Sequence, residues 1–214
     1  RLLGAQVVRL PTFEIQLFDQ DAVSAMLPKL RESDWVVFTS RKAVEILFHS
    51  LVQTERDWRY FEATRFAVVG ERTAAALGRS GRIPDLVAAQ AHSSGLLREL
   101  LAHLKPGEEV ALCQAETTLP HLAAGLTEAQ VRFREYKLYR LVCPVYPADL
   151  VARVFNDPFD VVIFTAPQAV ANYFRILQVH GLEPGDTPYA CLGRETAFQL
   201  EKAERQPWLI PPRP

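Results

Sequence analysis

Two stretches of this sequence read almost alike: Asp34–Phe48 is DWVVFTSRKAVEILF and Asp160–Phe174 is DVVIFTAPQAVANYF. Asp, Val, Phe, Thr, Ala, Val and Phe recur in register. In each, a continuously apolar run gives way to a threonine and then to apolar residues at helical spacing, the pattern of a strand followed by a helix. A second pair follows in the same order: Ala67–Ala74 is AVVGERTA and Ala190–Ala197 is ACLGRETA. Matched elements in matched order mean that one strand–threonine–helix unit occurs twice.

Outward from the repeat, the alternation continues. The apolar runs Val36–Phe38, Phe66–Val69, Leu86–Ala88 and Val110–Cys113 alternate with helical patterns over Ala43–Val52, Thr73–Arg79, Gly95–Leu104 and Leu119–Ala129. It resumes with Val161–Phe164, a helix from Ala169, Tyr189–Leu192, a helix from Thr196, and Trp208–Ile210. Strands that are apolar throughout are covered on both faces, so the alternation predicts an α/β protein with parallel sheets flanked by helices. Thr12–Phe18 and Tyr136–Val142 differ: apolar and polar residues alternate in them, and Pro144 and Pro147 close the second. That period suits half-exposed strands. We read residues 12–18 and 136–146 as connectors between an inserted domain of residues 19–135 and a discontinuous one of residues 1–11 plus 147–214. At the start, Arg1–Leu3 read as the last turn of a helix, Gly4 as its cap and Ala5–Leu10 as a strand, so a first strand is expected to be missing from the discontinuous domain.

The repeat carries chemistry of its own. Threonine or serine after a strand suits the N-cap, where a side-chain oxygen accepts a free N–H of the first helical turn. Those N–H groups, at the positive end of the helix dipole, also suit an anion. Thr39 and Ser40, Thr73, Ser93 and Ser94 before Gly95, Thr165 with Ala166 and Pro167, and Thr196 all occupy such starts. Any one of them reads most simply as a cap. As a set they fall at the carboxyl ends of parallel strands, the rim where open α/β sheets bind ligands. Two such rims facing a cleft suit a small molecule with many carboxylates or phosphates.

Composition narrows the choice of partner. A formal net charge of −1 argues against a general nucleic-acid or membrane-surface partner. The 3 cysteines, Cys113, Cys143 and Cys191, are scattered, as buried thiols in a reducing cytosol would be. No phosphate-cradling glycine loop, dinucleotide fingerprint, metal-ligand spacing or hydrolase elbow occurs.

The ordered series Asp34–Phe48, Phe66–Gly78, Asp85–Leu100 (DLVAAQAHSSGLLREL), Lys137–Arg140, Asp160–Phe174 and Ala190–Leu200 resembles the uroporphyrinogen-III synthase family. The resemblance implies two flavodoxin-like or Rossmann-like parallel-sheet domains joined by a two-stranded antiparallel linker. It implies a substrate, hydroxymethylbilane, a linear tetrapyrrole carrying eight carboxylates. The reaction removes the terminal hydroxyl, inverts ring D through a spiro intermediate and closes the macrocycle, with no cofactor and no metal. A cytoplasmic monomer is expected. Tyr139 matches the tyrosine that the family places near the leaving hydroxyl, while Thr39, Ser40, Thr73, Ser93, Ser94, Gly95, Thr165, Ala166, Pro167 and Thr196 carry over as substrate-binding positions. Some positions depart from the family. A Thr-Arg-Pro strand at the start and a further helix at the end are not found, Gln114-Ala115 stands where Arg-Gly is frequent, and Ala166 where serine is common. The alternative reading is a non-catalytic module that senses a tetrapyrrole or another acidic metabolite.

Overall fold

The computed structural model describes residues 4–118 and 120–211. Arg1–Leu3, Leu119 at the start of an expected helix, and the closing Pro212–Pro214 lie outside them. The chain divides into two compact units, one taking the chain up to Glu14 and again from Val142, the other spanning Ile15–Leu141.

In Ile15–Leu141 the elements run β1 (Glu14–Leu17, starting at the boundary), α1 (Gln20–Ser24), α2 (Leu27–Arg31), β2 (Trp35–Phe38), α3 (Arg41–Gln53), β3 (Arg65–Val68), α4 (Glu71–Arg79), β4 (Leu86–Val87), α5 (Ser93–His103), β5 (Glu109–Ala115), α6 (His121–Glu128) and β6 (Arg132–Val142). The six strands form one sheet in the order β1-β6-β5-β2-β3-β4. The pairs β6–β5, β5–β2, β2–β3 and β3–β4 are parallel. Chain order runs outward from β2 to β3 and β4, then returns to the other side of β2 for β5 and β6. The crevice at the carboxyl ends of β2 and β5 is therefore the point where the winding reverses.

Alternate residues of the central strands enter two cores, as the pleat requires. Val36, Phe38, Phe66 and Val68 pack with Leu27, Leu47, Leu51 and Trp58 on one face. Trp35, Val37, Ala67, Val110 and Leu112 pack with Leu96, Leu100, Leu122 and Leu126 on the other. Each large side chain so buried stabilises the fold by roughly 1.5–3 kcal/mol before entropy is counted.

The second unit holds α7 (Ala148–Val154), β7 (Val162–Phe164), α8 (Pro167–Val179), β8 (Tyr189–Cys191), α9 (Arg194–Lys202) and β9 (Pro207–Leu209). Its three strands are parallel in the order β7-β8-β9. Aromatic side chains dominate its core, with Phe164 5.3 Å from Tyr173 and 5.7 Å from Tyr189, ring centre to ring centre. Burial pushes both phenols up from the ordinary tyrosine value.

The duplication is visible in element lengths. Helices α3 and α8 both have 13 residues, and α4 and α9 both have 9. Their C-termini match too, each closed by a backbone bond back to the helix from beyond a left-handed residue. Arg56 N–H donates to Leu51 O at 2.7 Å and Leu182 N–H to Leu177 O at 2.9 Å. Arg82 N–H donates to Leu77 O at 3.1 Å and Arg205 N–H to Leu200 O at 3.2 Å. The left-handed positions are Glu55 and Gly181 in the first pair, Gly81 and Glu204 in the second. The geometry recurs although the residue type does not.

Two expectations need correction. Ala5–Leu10 forms no strand. Val7 and Val8 are 56% and 57% exposed, and a groove of about 700 Å³ lies among residues 5–13, β7 and the aromatic core. The segment lines the same groove as the edge strand β7 but makes no ladder with it, and without paired N–H and C=O groups no strand forms. The segment is anchored instead by side chains: Tyr146 Oη donates to Pro11 O at 2.5 Å and Asn172 Nδ2 to Thr12 O at 2.7 Å. The other correction concerns β6. It begins at Arg132 and is paired in parallel with β5 as far as Tyr139, so much of Tyr136–Val142 is ordinary sheet.

Candidate functional site

Strand β2 ends at Phe38, and Ser40 caps α3: its Oγ accepts from Ala43 N–H at 3.1 Å, with an extended backbone at the cap. Thr39 and Ser40 are both half-buried at the carboxyl end of the strand. Next along the sheet, Gly70 precedes α4, and Thr73 is buried in its first turn. Beyond β4, α5 begins at Ser93, so Ser93 and Ser94 lie inside the helix. The capping side chain there is His92, whose Nδ1 accepts from Gly95 N–H at 3.0 Å. Histidine is a rare cap and two serines beside it are common ones, so composition drew attention one residue too far. Gly95 is packed, not open: a Cβ there would lie 2.4 Å from Gln90 O.

The remaining member comes from β6. Its pairing with β5 runs from Glu109 opposite Arg132 to Gln114 opposite Lys137, then shifts so that Ala115 faces Tyr139. One extra residue, Leu138, has been inserted. A bulge of this kind turns the following side chain to the face it would otherwise avoid. Tyr136, Leu138 and Tyr139 consequently all join the core on the α3 side. There Tyr139 Oη lies 2.9 Å from Ser40 Oγ. Sequence alone offered no sign of that bulge.

Gln114 points elsewhere. It is buried, its Nε2 donates to Glu135 Oε2 at 2.7 Å, and its Oε1 has no partner among the described residues. Cys113, one residue earlier, is fully buried, and burial pushes its thiol well above the ordinary value. A group held as a thiol is not the nucleophile of a covalent mechanism.

In the other unit Thr165 is exposed after β7, Ala166 occupies the cap of α8 without any side-chain bond, and Pro167 is the first helical residue. Thr196 is buried in the first turn of α9, as Thr73 is in α4. Of this set only Thr165 also lines the 700 Å³ groove.

Each unit therefore gathers its predicted residues on one rim, and within the larger unit Ser40 and Tyr139 touch. The charges there are unusual for helix starts. Acidic residues are stabilising in a first turn, yet α3, α5 and α8 have none, and α3 opens with Arg41 and Lys42. Lys42 is paired with Glu45 at 3.3 Å. Such ends leave the dipole, and the first-turn N–H groups that Ser40 and His92 do not take, for an anion from outside. Among the described residues no cluster of His, Cys, Asp and Glu could hold a metal ion, and no helix is long and apolar enough to cross a membrane.

The family model for uroporphyrinogen-III synthase HemD matches residues 1–214. A Methanothermobacter thermautotrophicus protein, provisionally named a uroporphyrinogen-III synthase, is 30% identical over 176 residues, covering 81% of this chain and 69% of its own. The porphyrin biosynthesis protein HemD of Ruminiclostridium josui is 24% identical over 204 residues, covering 94% of this chain and 40% of its own. Among solved structures, a mutant uroporphyrinogen III synthase from Thermus thermophilus superposes with a TM-score of 0.68 at 19% identity, covering 99% of this chain and 85% of that one. At such identity the likeness shows the fold.

Proposed function

The chain belongs to the uroporphyrinogen-III synthase family, and from that premise we propose that it converts hydroxymethylbilane to uroporphyrinogen III, with inversion of ring D and without a cofactor. The observation that carries the proposal is the row of helix starts on the rim of Ile15–Leu141, with Tyr139 bonded to one of them. A substrate with eight carboxylates needs several anion sites at fixed spacing, and α3 and α5 present first turns free of acidic residues. The rim of the other unit, with Thr165, Ala166, Pro167 and Thr196, adds a second set.

Hydroxymethylbilane closes unaided to the uninverted isomer, so the work of the protein is orientation and exclusion of water. A weak acid beside the departing hydroxyl suffices, and Tyr139 takes that role in this reading. The proposal includes β1 and the end of β6 as antiparallel connectors, a monomer, and a reducing cytosol that suits three unbridged cysteines.

The experiment supplies hydroxymethylbilane, oxidises the products and separates the isomers by chromatography. We expect type III in excess of the spontaneous product, and turnover reduced by less than about a hundredfold in Tyr139→Phe. Type I alone, formed at the spontaneous rate, would overturn the reading. The 6% exposure of Tyr139 favours the second reading, a sensor that binds without chemistry. Tight binding of a linear tetrapyrrole with no turnover would select it.

A further inference from the structure

We infer that Ser40 positions the phenol of Tyr139, donating its own proton to the phenol oxygen so that the phenol proton is left for the substrate. The inference rests on the reading of Tyr139 as the acid. A serine hydroxyl has one proton to give and two lone pairs to accept with. Ala43 N–H already occupies one lone pair of Ser40 Oγ at 3.1 Å. Among the described residues, Tyr139 Oη at 2.9 Å is the remaining polar partner of that hydroxyl, and Ser40 Oγ is the partner of the phenol.

Two directions are open to the shared bond. If the phenol donated to Ser40, its proton would be engaged inside the protein. If Ser40 donates, a chain runs from Ala43 N–H through the serine hydroxyl to the phenol, whose own proton is then uncommitted. A free phenol is a better donor than an alcohol, but this alcohol is not free. Its oxygen receives an N–H at the positive end of a 13-residue helix, which makes it a poorer acceptor and its hydrogen a better donor. The chain of bonds thus polarises toward the ligand.

The proton balance follows. The phenol proton goes to the terminal hydroxyl oxygen of the substrate, the carbon–oxygen bond breaks with its electron pair on oxygen, and water leaves. The phenolate left behind accepts the Ser40 hydrogen bond. It regains its proton from the one released when the macrocycle closes.

Aspartate at an N-cap holds a helix as well as serine does, but a carboxylate only accepts, so Ser40→Asp keeps the cap and takes the phenol proton. We expect Ser40→Asp to lower kcat about tenfold to a hundredfold, to raise KM as well because it adds a negative charge on the rim that takes carboxylates, and to melt like the wild type. Ser40→Thr, which retains cap and proton, should recover most of that loss. In a Tyr139→Phe background, Ser40→Asp should cost nothing further in kcat. A double variant that loses the product of the two single effects would mean that Ser40 acts on its own, and would overturn the inference.

A second readout needs no turnover. The ultraviolet resonance Raman ring doublet of Tyr139, isolated as wild type minus Tyr139→Phe, reports whether the phenol accepts or donates. An accepting phenol in the wild type that becomes a donor in Ser40→Asp supports the inference; a donating phenol in the wild type overturns it. If Tyr139→Phe turns over like the wild type, the acid is elsewhere, and the Raman result still decides what Ser40 does.

Discussion

Glu108 shows at a single residue how a charge is kept in a fold. Its Oε1 accepts from Arg65 Nη2 at 2.5 Å, and its Oε2 from Lys105 N–H at 3.0 Å and Trp35 Nε1 at 3.2 Å. Arg65 in turn lies 4.3 Å over the Trp35 ring. Partial burial pushes the carboxyl up, the donors push it down, and the donors win, so its value in the folded protein is below the ordinary one. A depressed value means stability that is present above the unfolded-state value and lost as pH falls through the folded one. Glu108→Gln should therefore destabilise by about 1–2 kcal/mol at neutral pH, and the gap should close in acid. Denaturant titrations of both proteins at about pH 7 and about pH 3 check this; a gap that persists in acid would refute it. None of these partners is near Glu108 in the chain except Lys105, so the sequence held no sign of the cluster.

At the scale of elements, the start of α5 depends on a side chain that is absent. A Cβ at Gly95 would meet Gln90 O at 2.4 Å and Gln90 Cβ at 2.9 Å. Alanine would gain about 1 kcal/mol of helix propensity, but a backbone oxygen cannot step aside, and overpacking costs about 1–3 kcal/mol. We expect Gly95→Ala to lower the melting temperature. At Gly125 the obstructing atom is Leu97 Cδ2, the far end of a side chain that can rotate, so Gly125→Ala should be milder. A thermal melt in which the order is reversed would show that the α5 start is free to move. The strands and helices around these glycines were legible, since continuous apolar runs and helical spacing are local properties. The cap of α5 at His92 was not, because which side chain caps depends on where the helix begins by one residue.

The larger unit is continuous in sequence and has apolar cores on both faces of its central strands. A segment with its own core can fold alone. Ile15–Leu141 expressed by itself should therefore show α/β far-ultraviolet dichroism and a single cooperative melt. A chain without a melting transition would mean that the other unit is required for its stability.

What the sequence determined was the α/β alternation, the doubled strand–threonine–helix unit and, through its resemblance, the family. Each can be read from residues close together in the chain, because burial periodicity and capping chemistry act over one or two turns. The tertiary structure decided the rest. It left Ala5–Leu10 without a strand partner, made β6 a paired strand from Arg132, and through one inserted residue brought Tyr139 to Ser40 across 99 positions of sequence. Those outcomes depend on which edge, face or hydroxyl a distant segment presents, and no local pattern records that.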